Sequence, residues 1–191
     1  MRALVLADTE PEPGVPLDDD VAEAGVDVVV CAGDLFSGDI AELAELRIPK
    51  VGFYGNHCDG KYFDALRIAN LHLRCVVVDG VRFGGVEGCV RYKPDGSDIL
   101  YTQAQYRAMI AALPPVDVLV THCPPAGIND HADPAHRGIT ALRAWVDAHR
   151  PAVMIHGHTY PQNPVRRHGD TRVDYVHGAR LVDIAGPTIA S

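Results

Sequence analysis

The sequence predicts an α/β protein in which two packed β-sheets, a β-sandwich, are flanked by helices. First, short apolar runs rich in β-branched residues alternate with stretches of helical spacing in the first third of the chain. Second, five such runs stop abruptly at polar or glycine residues, as strands do where a site forms at one edge of a sheet. Third, two packed sheets accommodate the number of predicted strands better than one flat sheet does.

Length, composition and charge indicate a single globular domain spanning residues 1–191. Hydrophobic residues make up 47% and charged residues 22% of the chain, which is typical of a soluble protein. A formal net charge of -8 argues against stable nucleic-acid binding, which normally requires a basic face. No apolar run approaches the ~18 residues of a membrane span, so no membrane association is expected. Five cysteines without framework spacing indicate reduced thiols and a cytoplasmic location.

The first third of the chain alternates strands and helices, which predicts a parallel sheet with right-handed crossovers. Strands are expected at residues 3–6, 28–30 and 51–54, and helices at 17–24, after Ser37, and at 62–68. Ser37 is expected to cap the second helix, in which Ile40, Leu43 and Leu46 form an apolar stripe.

The middle of the chain predicts a β-hairpin followed by a capped helix. Residues 75–78 and 81–86 are strand-like, and Asp79-Gly80 between them has the composition of a two-residue hairpin turn. Thr102 and Gln105 have the spacing of a capping box, and apolar residues at helical spacing follow them.

The last third predicts two further strands, a helix and a long loop. The strands are expected at 116–120 and 153–155, with the helix at 140–149 between them. The loop at 123–138 is rich in Pro, Gly, Asp and His, and loops of this length are usually functional or disordered. Residues 171–176 and 180–183 are expected to close the fold as a hairpin around His177-Gly178.

Polar residues that follow five predicted strands supply a set of candidate metal ligands. Carboxylate oxygens come from Asp8, Glu10 and Asp34, an amide oxygen from Asn56, and imidazole nitrogens from His122 and His158. Because these strands end at one edge of the predicted sandwich, we expect the side chains to converge there. A mixed oxygen and nitrogen set suits Mn, Fe, Zn or Co better than Ca or a Cys-rich structural zinc. Two such cations ~3.5–4 Å apart can hold a phosphoryl group and lower the pKa of a bridging water.

The order of these residues resembles that of the calcineurin-like metallophosphoesterases. That family has Asp-x-His, Gly-Asp, Gly-Asn-His-Asp/Glu, a His and Gly-His-x-His, each on a loop after a strand. This chain has, in the same order, Asp8-Thr9-Glu10, Gly33-Asp34, Gly55-Asn56-His57, Thr121-His122 and Gly157-His158-Thr159-Tyr160. The resemblance implies a four-layer fold, with helices outside the two sheets.

The resemblance also implies a role for each matched residue. Asp34 would bridge two metal positions, and Asp8 would serve one of them. The residues implied for the other position are Asn56, His122 and His158. His57 would be the catalytic imidazole that protonates the leaving alcohol, and with Asn56 it would steady the substrate phosphoryl group. The long loop resembles the substrate-side loop of small bacterial members, which makes His136 a candidate for substrate contact.

Three positions depart from the family pattern, and two of them weaken the metal position served by Asp8. Glu10 stands where the family has His, and a carboxylate there shifts the preference toward Mn, Mg or Fe. Tyr160 stands where the family has its last His, and a phenol with a pKa of about 10 is a poor ligand near neutral pH. Cys58 occupies the acidic position after Gly-Asn-His. We therefore expect one well-furnished metal position beside one weakened position.

These features predict a metal-dependent phosphoesterase acting on a small phosphodiester or phosphomonoester, for which a nucleotide is one candidate. We expect one or two divalent transition metal ions per chain, with Mn favoured and Fe or Zn as alternatives. A second interpretation is a non-catalytic binding scaffold, as in the retromer subunit with this fold, and Glu10 and Tyr160 favour it. A third interpretation, a zinc hydrolase of amides, would predict a His-Glu-x-x-His helix, which the sequence lacks.

Overall fold

The computed structural model describes residues 1–8, 21, 24–59, 61–94 and 96–185. Within these residues the strands form two main sheets and one small two-stranded sheet. In chain order the strands are β1 Arg2–Ala7, β2 Val28–Cys31, β3 Lys50–Gly52, β4 Ala69–Asn70, β5 Cys75–Val78, β6 Val81–Val86, β7 Cys89–Val90, β8 Leu100–Tyr101, β9 Val118–Thr121, β10 Val153–His156, β11 Arg167–His168, β12 Thr171–Tyr175 and β13 Gly178–Asp183. The predicted helix at 17–24 lies mostly outside the described residues, and Glu10 lies outside them entirely.

The two main sheets are built mostly from parallel strands. The first sheet has the order β13-β1-β2-β3-β4, in which β1 to β4 run parallel and β13 pairs antiparallel with β1. The second sheet has the order β11-β12-β10-β9-β6-β5, in which β12, β10, β9 and β6 run parallel. The predicted parallel sheet and the β5–β6 hairpin with its turn at Asp79-Gly80 are both confirmed.

The predicted closing hairpin is wrong, because its two strands belong to different sheets. β12 pairs with β10 and β11 in the second sheet, whereas β13 pairs with β1 in the first. The chain crosses from one sheet to the other at Val176 and His177. Because Gly178 pairs with Ala7, this crossing places His177 beside the end of β1, where Asp8 follows.

Successive side chains along a strand point to opposite faces of the sheet, so each strand contributes to two layers of the apolar core. In β1, Ala3 and Val5 belong to the cluster between the two sheets, while Leu4 and Leu6 belong to a cluster on the outer face of the first sheet. That outer face is covered by a 3₁₀ helix at Ala41–Ala44 and by the short helix α1 at Phe63–Leu66.

Two longer helices, α2 at Gln103–Ile110 and α3 at Thr140–His149, cover the outer face of the second sheet. The predicted capping box of α2 is confirmed. The Thr102 Oγ1 accepts from the Gln105 backbone N–H at 3.2 Å, and the Gln105 Oε1 accepts from the Thr102 backbone N–H at 2.8 Å. Helices on both outer faces complete the four layers of the expected fold class.

Ser37 does not cap a helix as predicted. The 3₁₀ helix begins after Ile40 without a side-chain cap, and the Ser37 hydroxyl donates instead to Asp59 Oδ2 at 2.6 Å. The predicted apolar stripe is nevertheless buried. The Ser37–Asp59 bond ties the loop after β2 to the loop after β3, which carries Asn56 and His57.

The helices and the cysteines were each the subject of a sequence-based expectation. Among the described residues, none of the helices combines the length and the apolarity that crossing a membrane requires. All five cysteines are free thiols.

Candidate metal centre

Five strand ends bring candidate ligands to one edge of the sandwich. The residues that follow β1, β2, β3, β9 and β10 include Asp8, Asp34, Asn56, His122 and His158, respectively. Because these strands run parallel within each sheet, their carboxyl ends meet at the same edge. His57 lies there too, since its backbone N–H donates to Asp34 Oδ1 at 2.7 Å.

The backbone at this edge adopts uncommon conformations. Asp8, Asp34 and His158 have φ angles of 65°, 50° and 73°, in the left-handed region that non-glycine residues seldom occupy. Gly33 has a φ of 95°, and a Cβ atom at this position would lie 2.6 Å from His122 Nδ1. The turn after β2 therefore requires glycine both for its conformation and for its close approach to His122. Such conformations, clustered in one place, are typical of functional sites.

Asp34, His122 and His158 form a compact group. One potential ligand atom from each lies within 4.8 Å of the others, and His122 Nε2 lies 3.2 Å from Asp34 Oδ2. Two atoms bound to the same transition metal, each about 2.0–2.2 Å from it, lie roughly 3–4 Å apart. The group is therefore close to the size that one cation requires.

Backbone carbonyl groups determine which nitrogen of each imidazole is available. His122 Nδ1 lies 3.0 Å from the Ala32 carbonyl oxygen, and His158 Nε2 lies 2.9 Å from the Ala135 carbonyl oxygen. Because a carbonyl oxygen only accepts, each of these nitrogens carries a proton and donates. The nitrogens left to bind a metal are His122 Nε2 and His158 Nδ1, and metal-binding histidines commonly donate their other N–H in this way.

Asn56 Oδ1 is buried at this edge and has no hydrogen-bond partner among the described residues. The buried His122 Nε2 has the Asp34 carboxylate as its nearest neighbour of opposite charge, 3.2 Å away. Unpaired buried polar atoms are costly and rare in folded proteins, and an ion or water commonly satisfies them. The carboxylate, amide and imidazole groups present here suit a divalent transition metal. These residues therefore fit a metal ion, and their roles as ligands stay predictions.

Burial and neighbouring charges set the protonation of this group. Burial alone would lower the pKa of His122, but the Asp34 and Asp8 carboxylates, 3.2 and 3.9 Å away, raise it above its ordinary value. Burial alone would raise the pKa of Asp34, but the charge of His122 and the hydrogen bonds from its side chain and from the His57 backbone N–H together outweigh this effect and lower the pKa. Burial lowers the pKa of His158 to about 3, so this imidazole is neutral. Because a metal binds the neutral imidazole, the raised pKa of His122 means that a proton would compete with the metal for this nitrogen.

The second metal position, which the resemblance implies at Asp8, has fewer candidate ligands among the described residues. Both Asp8 carboxylate oxygens accept from the His158 backbone N–H, at 3.1 and 3.0 Å, and burial raises the pKa of Asp8. Tyr160 is 53% exposed, and partial burial together with the Asp8 and Asp34 charges raises the pKa of its phenol. A protonated phenol therefore stands where the resemblance implies an imidazole.

His177 lies near this second position, although the sequence assigned it to a hairpin turn. The ring centroid of His177 is 5.1 Å from that of Tyr160. A positive charge on His177 lowers the pKa of Asp8, although the opposite effect of burial is larger. His177 directly follows the predicted strand 171–176, just as the other candidates follow theirs. The same strand-end signal would therefore have found it.

His57 has an imidazole oriented by Asp98, which the motif did not reveal. His57 Nδ1 lies 3.3 Å from Asp98 Oδ1, and Asp98 also pairs with Lys93. The hydrogen bond from Lys93, together with the His57 charge, lowers the pKa of Asp98. The Tyr92 hydroxyl lies 3.5 Å from His57 Nε2. The His57 side chain is 48% exposed, so a substrate can reach the imidazole ring.

The loop at 123–138 is ordered by contacts with the chain around His158. Asn129 Oδ1 accepts from the Val165 backbone N–H at 2.6 Å, and Asn129 Nδ2 donates to His156 Nε2 at 2.9 Å. His131 Nε2 donates to the Thr159 carbonyl oxygen at 2.6 Å. Burial lowers the pKa of His156 to about 4, so its neutral ring accepts from Asn129. This network holds the loop against the candidate metal centre.

His136, the residue of this loop predicted to contact substrate, lies beside the group. Its ring centroid is 5.3 Å from that of His158, and its Nδ1 lies 2.9 Å from Asp133 Oδ1. It belongs to a short 3₁₀ helix, Pro134–His136, which also supplies the Ala135 carbonyl that orients His158. Its contact with substrate stays a prediction.

Cys58 and Cys123 adjoin candidate ligands but are thiols rather than thiolates. Burial raises the pKa of Cys123 to about 12, and its Sγ donates to the Arg137 carbonyl oxygen at 3.3 Å. Burial also raises the pKa of Cys58, whose Sγ accepts from the Tyr62 hydroxyl at 3.7 Å. Because the thiolate is the form that binds metals, both are poor ligands here.

Comparisons with known proteins bear on the fold and on the family. The sequence matches the family described as calcineurin-like phosphoesterase over residues 6–162. One solved crystal structure is similar with 16% identity and a TM-score of 0.66, covering 96% of this chain and 99% of the other. The crystal structure of the protein TT1561 from Thermus thermophilus is similar with 14% identity and a TM-score of 0.63, with the same coverage. None of the curated proteins compared with this chain matches it.

The structural similarities support the fold alone, because the sequences share so few residues. The family match supports more than the fold, since it extends from the end of β1 through Tyr160. It therefore includes every strand end that contributes to the group of Asp34, His122 and His158. By this match, the chain belongs to the calcineurin-like phosphoesterase family.

Proposed function

We propose that this protein is a metal-dependent phosphoesterase that hydrolyses a small phosphodiester or phosphomonoester. The observation that supports this most is the position of an accessible imidazole, His57, directly beside a group of ligands that fits a metal. The His57 backbone N–H donates to Asp34, a member of that group, while its ring is oriented by Asp98.

A divalent metal bound at this edge would polarise a phosphoryl oxygen and lower the pKa of a water molecule. We expect the residues that hold it to be Asp34, Asn56, His122 and His158. Two oxygen and two nitrogen ligands suit Mn, with Fe or Zn as alternatives. Asp8 would serve a second ion, so we expect one or two ions per chain.

His57 is the candidate general acid. Its Nδ1 faces the Asp98 carboxylate, which accepts the proton of that nitrogen, so Nε2 is the atom that can exchange a proton with substrate. A protonated Nε2 would donate to the oxygen of the leaving alcohol and neutralise the charge that develops there. Asp98 would keep the ring in the orientation that this transfer requires.

A cavity of about 770 Å³ beside Asn56 supports a small substrate. Tyr54 and Phe63 line it, and their rings stack with centroids 4.1 Å apart. Lys61 and Arg74 also line it, and Asp64 and Glu87 balance their charges. Aromatic rings beside charged groups of both signs suit a small polar molecule, for which a nucleotide is one candidate, whereas the net charge of -8 disfavours a nucleic acid. We place this activity in the cytoplasm, because all five cysteines are free.

Metal analysis combined with turnover tests this proposal. Protein purified without added metal is analysed for bound metals and then assayed with bis(p-nitrophenyl) phosphate and p-nitrophenyl phosphate in the presence of Mn, Fe or Zn. We expect at least one bound transition metal per chain and turnover of at least one ester. Bound metal without turnover of any ester would instead favour a binding scaffold, for which the exposed Tyr160 phenol is the supporting observation.

Restoring two imidazoles is expected to strengthen the second metal position. In the double variant Glu10→His with Tyr160→His, we expect Mn to bind this position roughly 10- to 100-fold more tightly. Residues that only hydrogen-bond to a metal ligand already change metal affinity by this much. Titration followed by electron paramagnetic resonance measures the number of ions bound and their coupling. Tyr160→Phe is the control, because it removes the phenol oxygen without adding a ligand. Unchanged stoichiometry in the double variant would mean that the ligands are misassigned.

A further inference from the structure

A groove lined by arginines lies on one edge of the sandwich. Its walls come from β11 and β12, at the edge of the second sheet, and from β13, the edge strand of the first. Its volume is about 500 Å³, within the usual range of small-molecule sites. None of the candidate metal ligands lines it. We call it the arginine groove after its four arginines, Arg166, Arg167, Arg172 and Arg180.

The arginine groove is positively charged although the chain carries a net charge of -8. Within it, Asp174 is shared by two guanidinium groups, with Arg172 Nε at 2.7 Å and Arg180 Nη2 at 3.5 Å. Asp183, the other carboxylate that lines the groove, pairs with Arg2 at 2.9 Å. Four arginines against two carboxylates leave the lining of the groove with a formal charge of +2.

One donor in the arginine groove has no acceptor. Arg172 Nη2 is buried, and none of the residues that the structure describes accepts a hydrogen bond from it. The guanidinium group itself is paired, because its Nε donates to Asp174 at 2.7 Å, but an unsatisfied buried donor is still costly. Since this nitrogen has almost no accessible surface, a ligand in the groove would first meet the exposed guanidinium groups of Arg166, Arg167 and Arg180.

The chemistry of these side chains points to phosphate groups. A guanidinium group presents a planar set of N–H donors that matches two oxygens of a phosphate, and arginine is enriched where such recognition is needed. An excess of positive charge, carried by several guanidinium groups in one groove, suits a ligand with several negative charges close together. We propose that the arginine groove is a second, metal-independent site that binds linked phosphate groups, either as a free polyphosphate or as the tail of a nucleotide.

Calorimetric titration of metal-free protein with inorganic tripolyphosphate tests this site. The metal is first removed with a chelator, and the chelator is dialysed away, so that phosphate cannot bind through a cation. We expect one tripolyphosphate per chain, with an affinity that falls as the salt concentration rises. Adenosine triphosphate and monophosphate, titrated in parallel, distinguish the two ligand sources. If the groove accepts the tail of a nucleotide, the triphosphate binds like tripolyphosphate and the monophosphate binds far more weakly. If it accepts only a free polyphosphate, both nucleotides bind far more weakly than tripolyphosphate.

Two double variants that change the net charge equally show whether binding depends on the groove or only on the overall charge of the protein. Arg166→Gln with Arg180→Gln removes an exposed arginine from each side of the groove, and we expect at least tenfold weaker binding. Arg47→Gln with Arg107→Gln removes two exposed arginines outside the groove and is expected to bind normally. Equal loss in both would overturn the proposal. Arg172 is left unchanged because it pairs with the buried Asp174.

Two further measurements distinguish this inference from the proposed phosphoesterase activity. Asp34→Asn, which alters the candidate metal centre, is expected to bind tripolyphosphate normally, and loss of binding there would place the anion at the metal centre instead. A tetra-aspartate peptide that bound as tightly as tripolyphosphate would overturn the preference for phosphate. Absence of ester turnover would leave these binding results unaffected.

Discussion

Asp34→Asn is expected to remove most of the bound metal and to lower ester turnover by roughly two to four orders of magnitude. The reason is that a catalytic metal stabilises the transition state by several kcal/mol. Asp34 is the carboxylate closest to His122, at 3.2 Å, and one of three residues whose ligand atoms lie within 4.8 Å of one another. An amide in its place supplies neither the charge nor the second anionic oxygen that bridging two ions requires. Metal content by mass spectrometry and turnover with added Mn measure the two losses together.

The folded structure of this variant is expected to be retained. Asn can accept the hydrogen bond that the His57 backbone N–H now gives to Asp34, and it tolerates the φ of 50° at this position. Asp59→Asn is the matched control, because Asp59 lies in the neighbouring loop and accepts from Ser37, outside the group of ligands. His122→Ala should reproduce the joint loss. Normal metal content and turnover in Asp34→Asn would show that the cation is held elsewhere.

The strands and their ends could be predicted because buried parallel strands are continuous apolar runs. Val28–Cys31 and Val118–Thr121 are such runs, and a polar ligand candidate lies within a few residues of each. The pairing of β12 and β13 could not be predicted in the same way. Local sequence shows a turn at His177-Gly178, but whether the two strands pair with each other or with different sheets depends on where the sandwich closes.

Some residues of the candidate site could likewise be predicted from the sequence, and others could not. Asp8, Asp34, Asn56, His122 and His158 could be found because each lies after a strand, where topology alone brings residues together. Asp98 could not, because it lies in a loop with no strand directly before it. That loop is brought to His57 by a tertiary contact, in which the Ile99 backbone N–H donates to the Asn56 carbonyl oxygen at 3.2 Å.

His57→Ala is expected to lower turnover by about 10²- to 10⁴-fold, the usual contribution of a general acid, while metal content stays normal. The side chain of His57 is half exposed and is not one of the three clustered ligands, so its loss leaves the metal centre intact. The loss should depend on the leaving group. An alkoxide is strongly basic and needs a proton as it departs, whereas nitrophenolate is weakly basic and departs without one.

Comparing two esters of the same phosphate therefore separates the possible roles of His57. If the imidazole donates a proton, His57→Ala loses the full amount on an alkyl ester and much less on a p-nitrophenyl ester. If it only stabilises charge on the phosphoryl oxygens, both esters lose equally, because that charge is present with either leaving group. Asp98→Asn keeps His57 but weakens the acceptor that orients it, 3.3 Å from Nδ1. It should show the same leaving-group pattern with a smaller loss, and equal losses on both esters would rule out a role through the His57 proton.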